Sequence, residues 1–138
     1  MYQTAKVSSN EALKLINYSI QQAEKFGRPA AIAVTGPEGE LIAFVRMDGT
    51  SPAASIIAQN KAHTAAVDRA ETSKMGERMR EKDNPAFWGD PKITGFGGGI
   101  PILQNNMVIG GIGVSGLPEA DDILIAKGAV KEVFGQPE

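Results

Sequence analysis

The sequence predicts an α+β fold, an antiparallel sheet flanked by helices. Three observations carry this. Helical spacing of apolar residues stands near both ends of the chain and in its middle. Two pairs of short apolar runs, each pair joined by a turn-rich stretch, lie between the helices. The chain has 138 residues, the size of one domain, and no repeat or linker divides it, so residues 1–138 are read as a single domain.

Gln3–Val7 can add a strand at the start. Ser8-Ser9-Asn10-Glu11 then reads as a capping box, a hydroxyl at the N-cap and a carboxylate three residues on. Leu13, Ile16, Ile20 and Ala23 follow at helical spacing, with Phe26 closing the stripe, and Gly27 and Pro29 stop the helix. Ala30–Val34 and Leu41–Val45 form a hairpin around the turn formers Thr35-Gly36-Pro37-Glu38-Gly39-Glu40. Both runs are apolar at successive residues, so the sheet is expected to be covered on both faces.

Ser51 and Pro52 open a long central helix that runs to Val67. Ala53, Ala54, Ile56, Ile57, Ala58, Ala62, Ala65, Ala66 and Val67 fall all round it, and Lys61 is its only formally charged residue. Such a helix is buried, in the core or at a subunit contact, and this predicts a homo-oligomer. From Asp68 to Asp83 the chain is strongly charged and reads as a helical continuation broken near Gly76. The loop Asn84–Pro91 holds Phe87 and the only tryptophan, Trp88, which need a pocket or a partner to cover them. Gly95-Phe96-Gly97-Gly98-Gly99 leads into a strand, Asn105-Asn106 turns it, and Met107–Ser115 returns. The glycines of that return strand point to close approach of a backbone or a ligand. Asp121 or Asp122 is expected to cap the last helix, with Ile123, Leu124, Ala126, Ala129, Val130 and Val133 inward and Gly135 at its end.

Composition removes several classes of function. A formal charge of −2 gives no electrostatic case for nucleic acid or an anionic membrane. The absence of cysteine excludes disulfides, zinc–thiolate sites, iron–sulfur clusters and thiol nucleophiles. A single histidine, His63, excludes a His-rich metal cage, and no metal site is predicted. No run reaches the roughly 20 apolar residues of a membrane span, and Met1–Thr4 has no secretion signal, so the location is read as cytoplasmic.

Four groups of residues could carry chemistry. Gly97, Gly98 and Gly99 are either a flexible lead-in to a strand or a nest of backbone N–H groups for a carboxylate or oxyanion. No Walker lysine follows them, and the next element is a strand where a dinucleotide fingerprint needs a helix. Lys61 shares its helix face with Ala54, Ile57, Ala58 and Ala65. An amine among small apolar groups can act as a base or a carboxylate clamp; the alternatives are an ion pair with Asp48 or a C-terminal acid, or a snorkelling stem. His63, two residues on, points nearly the opposite way and cannot form a dyad with Lys61 in one subunit. It is either a hydrogen-bonded structural residue or an axial ligand or proton shuttle. Arg46 and Asp48 share a strand face, either as a salt bridge or as an anchor for a carboxylate or propionate.

Arg46-Met47-Asp48-Gly49, Ser55 to Ala65, Gly98-Gly99-Ile100-Pro101-Ile102, Ile109 to Gly116 and Asp121-Asp122 together resemble the GlcG/HbpS family, which includes the C-terminal domain of PduO corrinoid adenosyltransferases. The resemblance runs from about Ala12 to Phe134. It implies a profilin-like α/β/α three-layer fold with a five-stranded antiparallel sheet, assembly as a homo-oligomer, and haem or another tetrapyrrole as ligand. On that reading Arg46 or Lys61 pairs with a propionate, Phe87 and Trp88 stack on the macrocycle, and His63 ligates iron. One departure stands in the first hairpin, where Thr35 and Gly36 replace the family's usual Val-Asp. The alternative function is a cofactor-free isomerase, hydratase or lyase on a small organic acid. There Lys61 is base or anion clamp, Arg46 holds the carboxylate, and Gly97–Gly99 stabilise an enolate. A third, weaker reading is a structural partner of a neighbouring enzyme.

Overall fold

The structure is a computed structural model that describes residues 1–82, 84 and 88–135. In chain order its elements are α1 (Ser9–Phe26), β1 (Ala31–Thr35), β2 (Leu41–Arg46), α2 (Pro52–Asp68), α3 (Thr72–Glu81), β3 (Gly99–Gln104), β4 (Met107–Ser115) and α4 (Glu119–Phe134). The α+β class and the order of the elements follow the sequence reading.

The sheet has four strands in the order β2-β1-β4-β3, each antiparallel to its neighbours, and not five. The expected strand at Gln3–Val7 reduces to one rung, Val7 N–H to the Ile109 carbonyl at 3.0 Å. The reason is that β1 already occupies that edge of β4 from Ala31↔Ser115 to Thr35↔Gly111, leaving only the far end free.

Helices cover both faces. α1 and α4 pack on one, where Leu15, Ile16, Ile125 and Val130 meet Ile32, Val34, Ile100, Ile102, Ile112 and Val114. The α1 capping box forms as the sequence predicts, with Glu11 N–H to Ser8 Oγ at 3.1 Å and Ser8 N–H to Glu11 Oε1 at 2.8 Å. The buried stripe is rotated, however, to Ala12, Leu15, Ile16, Ser19 and Ala23. Leu13 and Phe26 are exposed. In α4 the helix begins after Pro118, a turn before the expected cap, and Ile125 is buried where Leu124 was expected.

α2 covers most of the other face, with Thr72 at the start of α3 against Gly99 of β3. Its small residues Ala54, Ala58, Ala62, Ala65 and Ala66 are buried against the sheet. The β4 glycines make this seat possible: a Cβ on Gly113 would lie 2.1 Å from the Ala58 carbonyl oxygen, and one on Gly111 would lie 2.4 Å from that of Ala62. The close approach is therefore by backbone. It accounts for the alanine face of the helix, while Ile56 and Val67 stay exposed on its outer side.

The charged continuation is a separate helix. Arg69, at φ 56°, caps α2 in the left-handed region, and α3 starts at Thr72, so the break precedes Gly76. Gly76 lies inside α3 and is buried against the next segment, where a Cβ would meet the Gly95 carbonyl oxygen at 2.3 Å. Among the described residues no helix is long and apolar enough to cross a membrane.

Candidate functional site

Lys61 sits in the third turn of α2, with its stem covered and its amine turned toward the junction of β4 and α4. Nζ donates to the Val114 carbonyl at 2.7 Å and to Asp122 Oδ2 at 3.2 Å. Asp122 is held in turn by the Leu117 N–H, which donates to Oδ1 at 3.1 Å. The two side chains are 3% and 4% exposed, and among the described residues Lys61 and Asp122 are the two charged residues that are buried. Desolvation pushes the Lys61 amine below its usual range and the Asp122 carboxyl above its own, while each opposes the shift of the other. Of the partners open to Lys61 from the sequence, a C-terminal acid is the one it takes; Asp48 is exposed at the end of β2.

The amine lies at the base of a cleft of about 200 Å³ lined by Ile57, Lys61, Phe96, Gly97, Ser115, Gly116, Leu117, Glu119 and Asp122. The glycines serve closeness here. A Cβ on Gly98 would come within 2.9 Å of Lys61 Nζ, and one on Gly97 within 2.7 Å of Glu119 Oε1. Gly99 is not free for an oxyanion, since its N–H donates to Thr72 Oγ1 at 2.8 Å. The cleft thus gathers one cation and two carboxylates, so it offers no surplus positive charge to a carboxylate ligand.

A second, wider groove of about 440 Å³ adjoins this cleft and shares Phe96 and Glu119 with it. It runs between α3 and the 93–96 segment, past Gly76, Met79, Arg80, Ile93, Thr94 and Gly95. Phe96 is 57% exposed at the junction. Sequence reasoning passed over Phe96, Met79, Arg80 and Glu119. The available signal was an aromatic residue set inside a glycine run.

The other expected site residues lie elsewhere. Arg46 is opposite Ala31, and Ala31 is opposite Ser115, so two strand spacings, roughly 10 Å, separate Arg46 from the Lys61 end of β4. Its Nε donates to the Thr50 carbonyl at 3.1 Å, and Arg46 and Asp48 do not form the expected salt bridge among the described residues. Trp88 is half-buried with the Arg78 guanidinium 5.1 Å from its ring centroid, and Phe87 falls outside the described residues. His63 faces away from Lys61, as its spacing requires. Its Nε2 meets Asp90 Oδ2 at 2.7 Å and its Nδ1 the Gly39 carbonyl at 3.4 Å, in a separate pocket of about 180 Å³.

The hydrogen bond from His63 and one from the Lys92 backbone hold the Asp90 carboxyl below its usual value of 3.8. A carboxyl with a lowered folded pKa adds stability above its unfolded pKa and loses it as pH falls through the folded one. Asp90→Asn is therefore expected to flatten the acid limb of the stability curve below about pH 4. Urea midpoints measured from pH 7 down to pH 3 check this; parallel curves for variant and parent would refute it.

A family model described as "Haem degrading protein HbpS-like" matches residues 7–131. Protein GlcG of Escherichia coli strain K12 is 39% identical over 109 residues, which cover 79% of this chain and 81% of that protein. The crystal structure of a double mutant of Streptomyces reticuli HbpS superposes with a TM-score of 0.88 at 29% identity, covering 99% of this chain and 92% of the other. A PduOC–haem complex superposes with a TM-score of 0.84 over 91% and 94% of the two chains. At 22% identity that likeness is one of fold.

Proposed function

The chain belongs to the HbpS-like family, and from that premise we propose that it binds haem or another tetrapyrrole in the open groove between α3 and the 93–96 segment. The family match over residues 7–131 carries the reading. The HbpS-like description refers to haem, and the PduOC relative in fold was solved with haem bound.

The residues of the groove fit such a ligand. Phe96, Met79 and Ile93 give a flat apolar group something to lie against, and the exposed Arg80 suits a propionate at the rim. Met79 brings a thioether, one of the side chains able to ligate haem iron. When bound, haem would supply iron-centred redox chemistry. This placement replaces Trp88, whose ring faces Arg78, with Phe96 as the stacking aromatic. It also releases His63 from iron ligation, since each of its ring nitrogens already faces a protein oxygen and one of those contacts would have to break.

A haemin titration followed at the Soret band tests the reading. The wild type is expected to shift the band. Arg80→Ala should weaken binding about fivefold, the scale of an exposed ion pair near 1 kcal/mol. His63→Ala should leave the titration unchanged. A wild-type chain that produces no shift overturns the proposal, and loss of binding in His63→Ala overturns the placement.

A further inference from the structure

The Lys61 cleft has chemistry that tetrapyrrole binding does not use. We propose that Lys61 is a nucleophilic amine that condenses with a small aldehyde or ketone to form an imine, with Glu119 and Asp122 moving the protons. The inference goes beyond the haem reading and stands or falls separately from it.

Four features of the geometry point this way. The amine lies at the base of a cleft of about 200 Å³, room for a molecule of a few heavy atoms. Two of its N–H directions are taken, by the Val114 carbonyl and Asp122, and the missing Cβ of Gly98 lets the amine sit close to that backbone without being displaced. Ile57, Phe96 and Leu117 give the cleft apolar walls, which suit a carbonyl compound without a charge. Glu119 adds a second carboxyl beside Gly97, on the wall of the same cleft. Two carboxyls around one amine disfavour a carboxylate substrate and supply both an acid and a base.

The step balances without an oxidant or reductant. One proton passes from Nζ to Asp122 Oδ2, 3.2 Å away, leaving a neutral amine beside a neutral acid. Burial lowers the cost of reaching this state from the ion pair, because both charged forms lose hydration. The nitrogen lone pair forms a bond to the carbonyl carbon, and the carbonyl oxygen takes a proton from a carboxylic acid to give the carbinolamine. The carbinolamine nitrogen then passes one proton through a carboxylate to that oxygen, the C–O bond breaks as the nitrogen lone pair forms the C=N bond, water leaves, and the last proton on nitrogen goes to a carboxylate. Amine and carbonyl give imine and water.

Reductive trapping tests this on the intact wild-type chain, with acetaldehyde as the probe and cyanoborohydride as the trap, read by peptide mapping. Lys61 is expected to carry the ethyl group severalfold ahead of the exposed Lys14 and Lys25, because desolvation lowers the cost of its neutral form and the cleft gathers the aldehyde beside it. Glu119→Gln should slow labelling of Lys61 and leave Lys14 unchanged. If Lys61 stays unmodified while the exposed lysines are labelled, the nucleophile assignment is overturned. Equal labelling of Lys61 in Glu119→Gln overturns the role of Glu119. Neither result bears on the haemin titration.

Discussion

Asp122→Ala is expected to cost about 3–5 kcal/mol of folding stability, the loss seen when one member of a buried ion pair is removed. The reason lies in what remains. Lys61 is 2% exposed, and its one other hydrogen-bond partner in the cleft is the Val114 carbonyl, so the amine must stay charged out of water or give up its proton. The Leu117 N–H loses its acceptor in the same substitution. Urea denaturation at pH 7 measures the loss. The double variant Lys61→Met, Asp122→Leu should recover most of it, since an apolar pair of similar volume carries no desolvation penalty. A loss below about 1 kcal/mol in the single variant would mean that the pair is hydrated, and its burial would have to be abandoned.

Gly113→Ala is expected to cost about 3 kcal/mol. The added Cβ would lie 2.1 Å from the Ala58 carbonyl oxygen and 2.6 Å from the Ala62 nitrogen. Both are helix backbone atoms, so no side chain can rotate away, and α2 would have to lift from the sheet along its length. Overpacking of a tight core costs about 1–3 kcal/mol, and a contact with rigid backbone belongs at the upper end. For a chain of this size that corresponds to a fall of about 10 °C in Tm, readable by calorimetry. An unchanged Tm would show that α2 is seated more loosely than the structure has it.

The periodic elements were legible in the sequence because local chemistry decides them. The Ser8–Glu11 box, the turn glycine after α1 and the Asn105-Asn106 turn, with both asparagines at positive φ, each act within a few residues. The burial of Lys61 was legible as well, since a helix apolar all round had to carry its one charge inside or at its edge. What escaped was decided at long range. The fifth strand failed because β1 holds most of that edge of β4, a long-range pairing invisible to the Gln3–Val7 segment itself. The helical break moved from Gly76 to Arg69, because Gly76 is required for contact with Gly95 and not for a turn. Asp122, read as a cap, turned inward to meet an amine 61 residues away in sequence. Arg46 and Lys61 were grouped by charge and motif, while sheet order sets them two strands apart.

The glycine seat beneath α2 has a consequence for how the cleft can vary. Because peptide groups and not side chains set the distance between helix and sheet, the helix cannot slide to suit a different guest, and the amine is a fixed datum. Adaptation must then come from the walls, at Ile57, Phe96 and Leu117, whose bulk can be exchanged without shifting the nitrogen. Reactivity and selectivity are thereby entrusted to separate sets of atoms, and one can be retuned while the other is kept.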